Sequence, residues 1–389
     1  RDSGYTIYYM GINIGAMIAP VVCGYFAQGE TFQGFLRAHG INPGWCWHFG
    51  FAAASVGMIL GVIQYSITQG WLGESGKHPT VPSDPRIAQR DRNVLGGIVA
   101  ALLAVIGLFV YSSLHGLSIS TETIGNLFGI GLAIFSIVLF VVLYGSARTT
   151  GERKRVIAML TLFLGSIAFF GIFEQASTTL SLFAEDLTSR DLLGFTVPAS
   201  YYQAINSIFI IVLAPLFAWL WLTLVRARKE PTSVMKFSIG MVLAALSFVV
   251  MLPTLQAVTH GDKASGVYLI ALYFFSTCSE LCISPVGLSS MSRLAPKRLA
   301  GMVMGTWFLG TANGNYLAGR AAGFTASRGY GFLFVFLIVS ALVVAAALFV
   351  VSPMIRKMMA GDEPDPAAGV QVEPDPLPAA RVVKSDTAS

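Results

Sequence analysis

The chain has 389 residues, 54% of them hydrophobic and only 12% charged, with a formal net charge of +5. A soluble domain carries about a quarter charged residues, so the composition excludes an ordinary soluble enzyme or scaffold. The basic residues sit in short segments between apolar runs, which excludes a nucleic-acid-binding surface, and four cysteines in a chain of this size do not make a disulfide framework.

Apolar runs long enough to cross a bilayer recur along the whole chain. They predict an all-α polytopic membrane protein with ten helices, over 5–28, 49–68, 94–114, 124–147, 155–183, 199–225, 236–256, 266–291, 300–324 and 331–352. The first run carries Tyr9 and Asn13, four residues apart and therefore on one helical face. Polar side chains at membrane depth are costly unless they meet a partner or line a watery cavity. The segment 29–48 reads as an outer loop, with a turn signal at Asn42-Pro43-Gly44 and interfacial anchors at Trp45 and Trp47. Segment 69–93, rich in Pro, Gly and charge, reads as a cytoplasmic linker, and 354–389 as a disordered cytoplasmic tail.

The loops orient the chain. With ten spans, 20 of the 25 Lys and Arg residues fall on the side that holds Arg1, and only Arg37, Arg190, Lys263, Arg320 and Arg328 fall on the other. Positive charge stays inside, so both ends of the chain are expected in the cytoplasm, with the helices in the inner (plasma) membrane. Pro20, Pro215, Pro253 and Pro285 interrupt otherwise continuous helices. The 300–324 helix carries three small-xxx-small pairs, Gly301/Gly305, Gly310/Gly314 and Gly319/Gly323. These serve either plain packing or gating.

Two carboxylates, Glu174 and Glu280, lie well inside predicted spans. An acid at that depth either holds and releases a proton or docks a cation. The bland alternative is a structural partner for a buried polar group on a neighbouring helix. Glu174 follows Phe170 and Phe173, and Glu280 has Ser284 one turn on. Acids, amides, hydroxyls and aromatic walls together suit a small zwitterion. Cys278 and Cys282 are one turn apart, but no histidine shares their span, so a metal site is not expected there.

Several runs, in order, resemble the proton-dependent oligopeptide transporter family of the major facilitator superfamily. The opening Gly4-Tyr5-Thr6-Ile7-Tyr8-Tyr9-Met10-Gly11-Ile12-Asn13-Ile14-Gly15 resembles its fifth helix, and Trp47-His48-Phe49-Gly50-Phe51 the start of the sixth. Phe173-Glu174-Gln175 resembles the seventh, Val197-Pro198-Ala199-Ser200-Tyr201-Tyr202-Gln203-Ala204-Ile205-Asn206 the eighth, Glu280-Leu281-Cys282-Ile283-Ser284-Pro285 the tenth, and Gly305-Thr306-Trp307-Phe308-Leu309-Gly310 the eleventh. The resemblance implies a bacterial member lacking its first four helices. Residues 1–68 are then the last two helices of the N-terminal bundle, 94–147 an inserted helix pair and 148–353 the six-helix C-terminal bundle.

By the same resemblance, the expected activity is proton-coupled symport of di- and tripeptides by alternating access, with protons as the coupling ion and no cofactor. Glu280 would receive the peptide amine, with Asn206 and Ser284 beside it. Glu174 would couple protons, Tyr9 and Asn13 would contribute from the N-terminal bundle, and Trp307, Phe170 and Phe173 would form side-chain pockets. The family usually has Trp where Phe170 stands. A transporter of another small solute (an amino-acid conjugate, nitrate or a drug) is the alternative on the same fold. An integral-membrane enzyme is a remote one, because the intramembrane acids have no histidine partner.

Overall fold

The computed structural model describes residues 2–73, 85–114, 120–192, 195–294 and 299–359. The tail beyond Met359, the greater part of the segment read as tail, lies outside the described residues. Eight stretches are long and apolar enough to cross a membrane by length and composition, among the described residues.

Helix α1 (Asp2–Gln28) leads into α2 (Glu30–Ala38) and a 3-10 turn at Pro43–Trp45. The stretch read as an outer loop is thus partly helical, while its turn signal holds: the Asn42 side chain accepts from the Gly44 amide at 2.9 Å. Helix α3 (Cys46–Thr68) follows, and α4 (Pro85–Leu114) begins inside the segment read as a linker. Helix α5 (Thr121–Gly145) starts where the Ser120 hydroxyl accepts from the Thr123 amide at 3.1 Å.

Helix α6 (Thr150–Phe173) is started by a capping pair, with the Thr149 hydroxyl accepting from the Glu152 amide at 3.1 Å and the Glu152 carboxylate accepting from the Arg148 amide at 2.7 Å. The predicted 155–183 helix is not continuous. It breaks into a 3-10 turn over Glu174–Ser177 and resumes as α7 (Thr179–Asp186). Helices α8 (Tyr201–Arg226), α9 (Ser233–Val249), α10 (Thr254–Thr259) and α11 (Val267–Leu294) come next. Pro253 caps α10, so it separates two helices, whereas Pro20, Pro215 and Pro285 sit inside theirs.

The last helix, α12 (Ala300–Met359), takes in both final predicted spans, but Gly329 has φ 79° and ψ 169°, far from helical. The Phe324 ring lies 5.4 Å from Phe336. Twelve residues of straight helix would separate them by about 18 Å, so the chain doubles back at Gly329 into two arms, 300–328 and 330–359. Two short strand pairs lace the loops at one end: Thr188–Ser189 runs parallel to Ala264–Ser265, and Asp191–Leu192 antiparallel to Phe195–Thr196.

The core lies among the later helices. In the spanning window of Thr150–Asp186, 61% of residues are buried, against 11% in Pro43–Trp71. Helix α12 packs on α6 and α9, α11 on α9 and α8, and α1 on α3 and α8. This C-terminal assembly carries most of the residues singled out above.

Candidate functional site

Helix α11 supplies the first acid. Its Thr277 and Glu280 are three residues apart and face α8, where Asn206 meets both. The Asn206 amide nitrogen donates to Glu280 Oε2 at 3.1 Å and to Thr277 Oγ1 at 3.0 Å. Thr277 passes its own proton to the Tyr273 carbonyl at 2.7 Å. This chain fixes the amide orientation and gives Glu280 a defined donor, which steadies a carboxylate removed from water. Ser284 is half-buried one turn further along, just before Pro285, whose missing N–H weakens the helix there.

The second acid stands at the break between α6 and α7. Glu174 opens the 3-10 turn, half-buried, and accepts from the Ser177 hydroxyl at 3.3 Å. Sequence reasoning placed it in mid-helix; the structure places it where the helix is interrupted. The cause is its neighbour Gln175, which is 0% exposed. The Gln175 amide donates to the Gly171 carbonyl and to the Ala318 carbonyl of α12, both at 3.1 Å, and accepts from Thr179 Oγ1 at 2.7 Å. One side chain thus ties together both sides of the break and a neighbouring helix. Glu174 follows α6, and α6 packs on α11, which carries Glu280.

Aromatic rings of α6 and α12 pack together just ahead of the Glu174 turn. The Phe170 ring meets Trp307 edge-on at 6.1 Å and Phe173 at 6.5 Å, and Phe169 stands 5.2 Å from Phe173. Trp307 is 5% exposed, and Phe237 of α9 closes its other side at 6.4 Å. The indole is seated over Gly287, where any Cβ would collide with it. Among the three glycine pairs, Gly310 and Gly314 make the close approach: a Cβ at Gly314 would run into Phe170 and come within 3.0 Å of the Gly171 amide. Gly301, Gly305, Gly319 and Gly323 face open space.

From the first helix, Asn13 is buried at 5% exposure, and Tyr9 lies in the early turns of α1 with its side chain outside the described residues. The far end of α1 is joined to the later helices. Gln28 donates to Glu185 of α7 at 2.7 Å and accepts from the Ser200 amide, at the start of α8, at 3.2 Å. Arg190 stands 4.0 Å from the same Glu185.

The structure therefore brings together Glu280 with Asn206, and Trp307 with Phe170 and Phe173. Sequence reasoning missed Thr277, Phe237, Gln28 and the role of Gln175. Gln175 was visible beside Glu174, but its partner Ala318 lies 143 residues away. Lys236, assigned to the basic cytoplasmic side, is buried, bonded to Glu230 at 2.7 Å and set over the Trp221 ring at 4.6 Å. The described residues hold no group of three or more metal-ligating side chains.

The model of the POT family matches residues 1–330. A peptide transporter of Yersinia enterocolitica is 33% identical over 338 residues, 83% of this chain and 61% of that protein. A di-/tripeptide transporter of Lactococcus lactis is 31% identical over 319 residues, 79% of this chain and 59% of its own length. This chain thus spans about three-fifths of these curated relatives. Among solved structures, a crystal structure of the peptide transporter POT in complex with sulfate superposes with a TM-score of 0.78 at 34% identity, covering 92% of this chain and 69% of that one. A POT family transporter in complex with 5-aminolevulinic acid superposes with a TM-score of 0.76 at 30% identity, covering 91% and 69%.

Proposed function

This chain belongs to the POT family, and from that premise we propose that the full-length protein carries di- and tripeptides into the cell together with protons by alternating access. The observation that carries the proposal is Glu280, a carboxylate held by Asn206 among the helices. A peptide's ammonium group docks on Glu280, because opposite charges attract strongly where water is scarce. Asn206 occupies one carboxylate oxygen and Ser284 lies one turn along the same helix, giving the amine a directional site. Peptide side chains rest against Phe170, Phe173 and Trp307, and α1, which carries Tyr9 and the buried Asn13, contributes from the N-terminal side.

Glu174 is the proton-coupling acid. Its position at a helix break gives its charge a way to act on conformation, since gaining a proton removes that charge and changes what the Glu174–Ser177 turn can bond. A proton and a peptide then favour the same state, and a ligand that prefers one state shifts the balance toward it. Protons are the coupling ion, and no cofactor is needed. The basic loops favour cytoplasmic ends for the chain and an inner-membrane location.

A second reading is an amino-acid-like solute other than a peptide. A related structure holds 5-aminolevulinic acid, which shares the ammonium group that Glu280 would receive. The test is uptake into proteoliposomes of the full-length protein under an inward proton gradient. Labelled di- and tripeptides should accumulate and an uncoupler should collapse the signal. Uptake of 5-aminolevulinic acid alone would move the assignment to the second reading, and no gradient-dependent uptake of either would overturn both.

A further inference from the structure

We infer that Asn313 is a positioning residue for the side-chain pocket: through Ser136 it clasps helix α5 onto the α6–α12 contact that sets Phe170 and Trp307. The inference rests on the transport reading above and extends it to a helix pair with no place in the proposed substrate site.

The middle of helix α5 presents an apolar outer face, with Ile134, Ile137 and Val141 all more than half exposed. A helix with that face needs only leucine-like contacts on its other side. Instead, Asn313 of α12 donates to Ser136 Oγ at 3.0 Å and to its own helix at the Leu309 carbonyl at 2.8 Å, while Ser136 donates to the Leu132 carbonyl at 2.7 Å. An amide at membrane depth is expensive unless bonded, and interhelical hydrogen bonds of this kind hold helix pairs together. Two further contacts fix the register. The Tyr316 ring sits against Gly129, where a Cβ would collide with it, and Phe140 meets Phe163 of α6 at 4.9 Å.

A neighbouring face of the same stretch of α12 touches α6. Gly310 lies over Ser166 and Phe163, and Gly314 over Phe170. Phe163 therefore touches α5 on one side and Gly310 on the other. Helix α5 is wedged along the α6–α12 seam at the height of the glycines, and Asn313 stands between Gly310 and Gly314 in sequence. Releasing the clasp lets α12 slide on α6, and the Phe170–Trp307 contact depends on that register.

The experiment compares Asn313→Leu, Ser136→Ala, the double variant and Ser136→Thr in the full-length protein. Proton-driven uptake of Ala-Ala and Ala-Phe is measured in proteoliposomes. The first two variants should raise the KM for Ala-Phe three- to tenfold, leave Ala-Ala within twofold and leave kcat unchanged. The double variant should be no worse than the worse single one, and Ser136→Thr, which keeps the hydroxyl, should match wild type. Equal KM changes for both peptides, or no change for either, would overturn the positioning role. Apparent Tm values give a readout independent of transport: additive losses for Asn313 and Ser136 would show that they do not act as a pair. If wild type transports neither peptide, the transport reading fails, and the Tm cycle still decides the clasp.

Discussion

At the scale of single residues, the site is organised by side-chain amides. Asn206 orients Glu280 and Gln175 shapes the turn that carries Glu174. Glu280→Gln keeps the shape and removes the charge. Equilibrium binding of dipeptides should weaken at least tenfold, about 1.4 kcal/mol, while N-acetylated dipeptides, which carry no ammonium, should lose far less. Equal losses would assign Glu280 a purely structural part. Glu174→Gln mimics a permanently protonated acid. Uphill, proton-driven accumulation should vanish while counterflow exchange of peptide persists in part, because exchange needs no net proton movement. Loss of both activities together would make Glu174 a substrate or folding residue. Gln175→Leu leaves the Ala318 carbonyl and the Thr179 hydroxyl without their buried partner. That costs about 1–3 kcal/mol, to be seen as a lowered apparent Tm, whereas Ser177→Ala on the exposed side of the same turn should leave Tm unchanged.

At the scale of helices, identical sequence patterns have different outcomes. Gly301/Gly305, Gly310/Gly314 and Gly319/Gly323 share one spacing, yet only the middle pair lies against another helix. Gly314→Ala should therefore destabilise by about 1–3 kcal/mol through overpacking, since the new methyl group meets Phe170 and the backbone of α6. Gly305→Ala should be neutral or slightly stabilising, and matched thermal melts compare the two. The helical, apolar character of the chain was legible because hydropathy and spacing are local properties. The break at Glu174 was not, because Phe173-Glu174-Gln175-Ala176-Ser177 contains neither Pro nor Gly. The break is stabilised from outside, by the Gln175 bond to α12. Helix α2 was readable in principle, with Glu30 in its first turn and Arg37 in its last. The turn residues that follow it drew the whole segment toward a loop assignment.

At the scale of the molecule, two kinds of contact meet at one end. Within the C-terminal assembly, the strand pair Thr188–Ser189 with Ala264–Ser265 laces the end of α7 to the start of α11. Between α1 and that assembly, the joint is Gln28 with Glu185 and Ser200. Under the proposed alternating access, this second joint opens and closes while the first stays shut. Cysteines at 28 and 185, in a background without the four native cysteines, should accept a short thiol-to-thiol crosslinker and lose uptake, and a reducible linker should restore it on cleavage. Retained uptake in the crosslinked protein would show that α1 and α7 do not part during transport. The two joints also leave separate marks on backbone amides. The Ala264 N–H is held by the Leu187 carbonyl at 2.8 Å, within the C-terminal assembly. The Ser200 N–H is held by a side chain of α1, the Gln28 oxygen. Under deuterium exchange, Ala264 should stay protected whichever side is open, while Ser200 loses its protection each time the bundles separate. The ratio of the two rates then measures how much of its time the unliganded protein spends with the Gln28–Ser200 joint open.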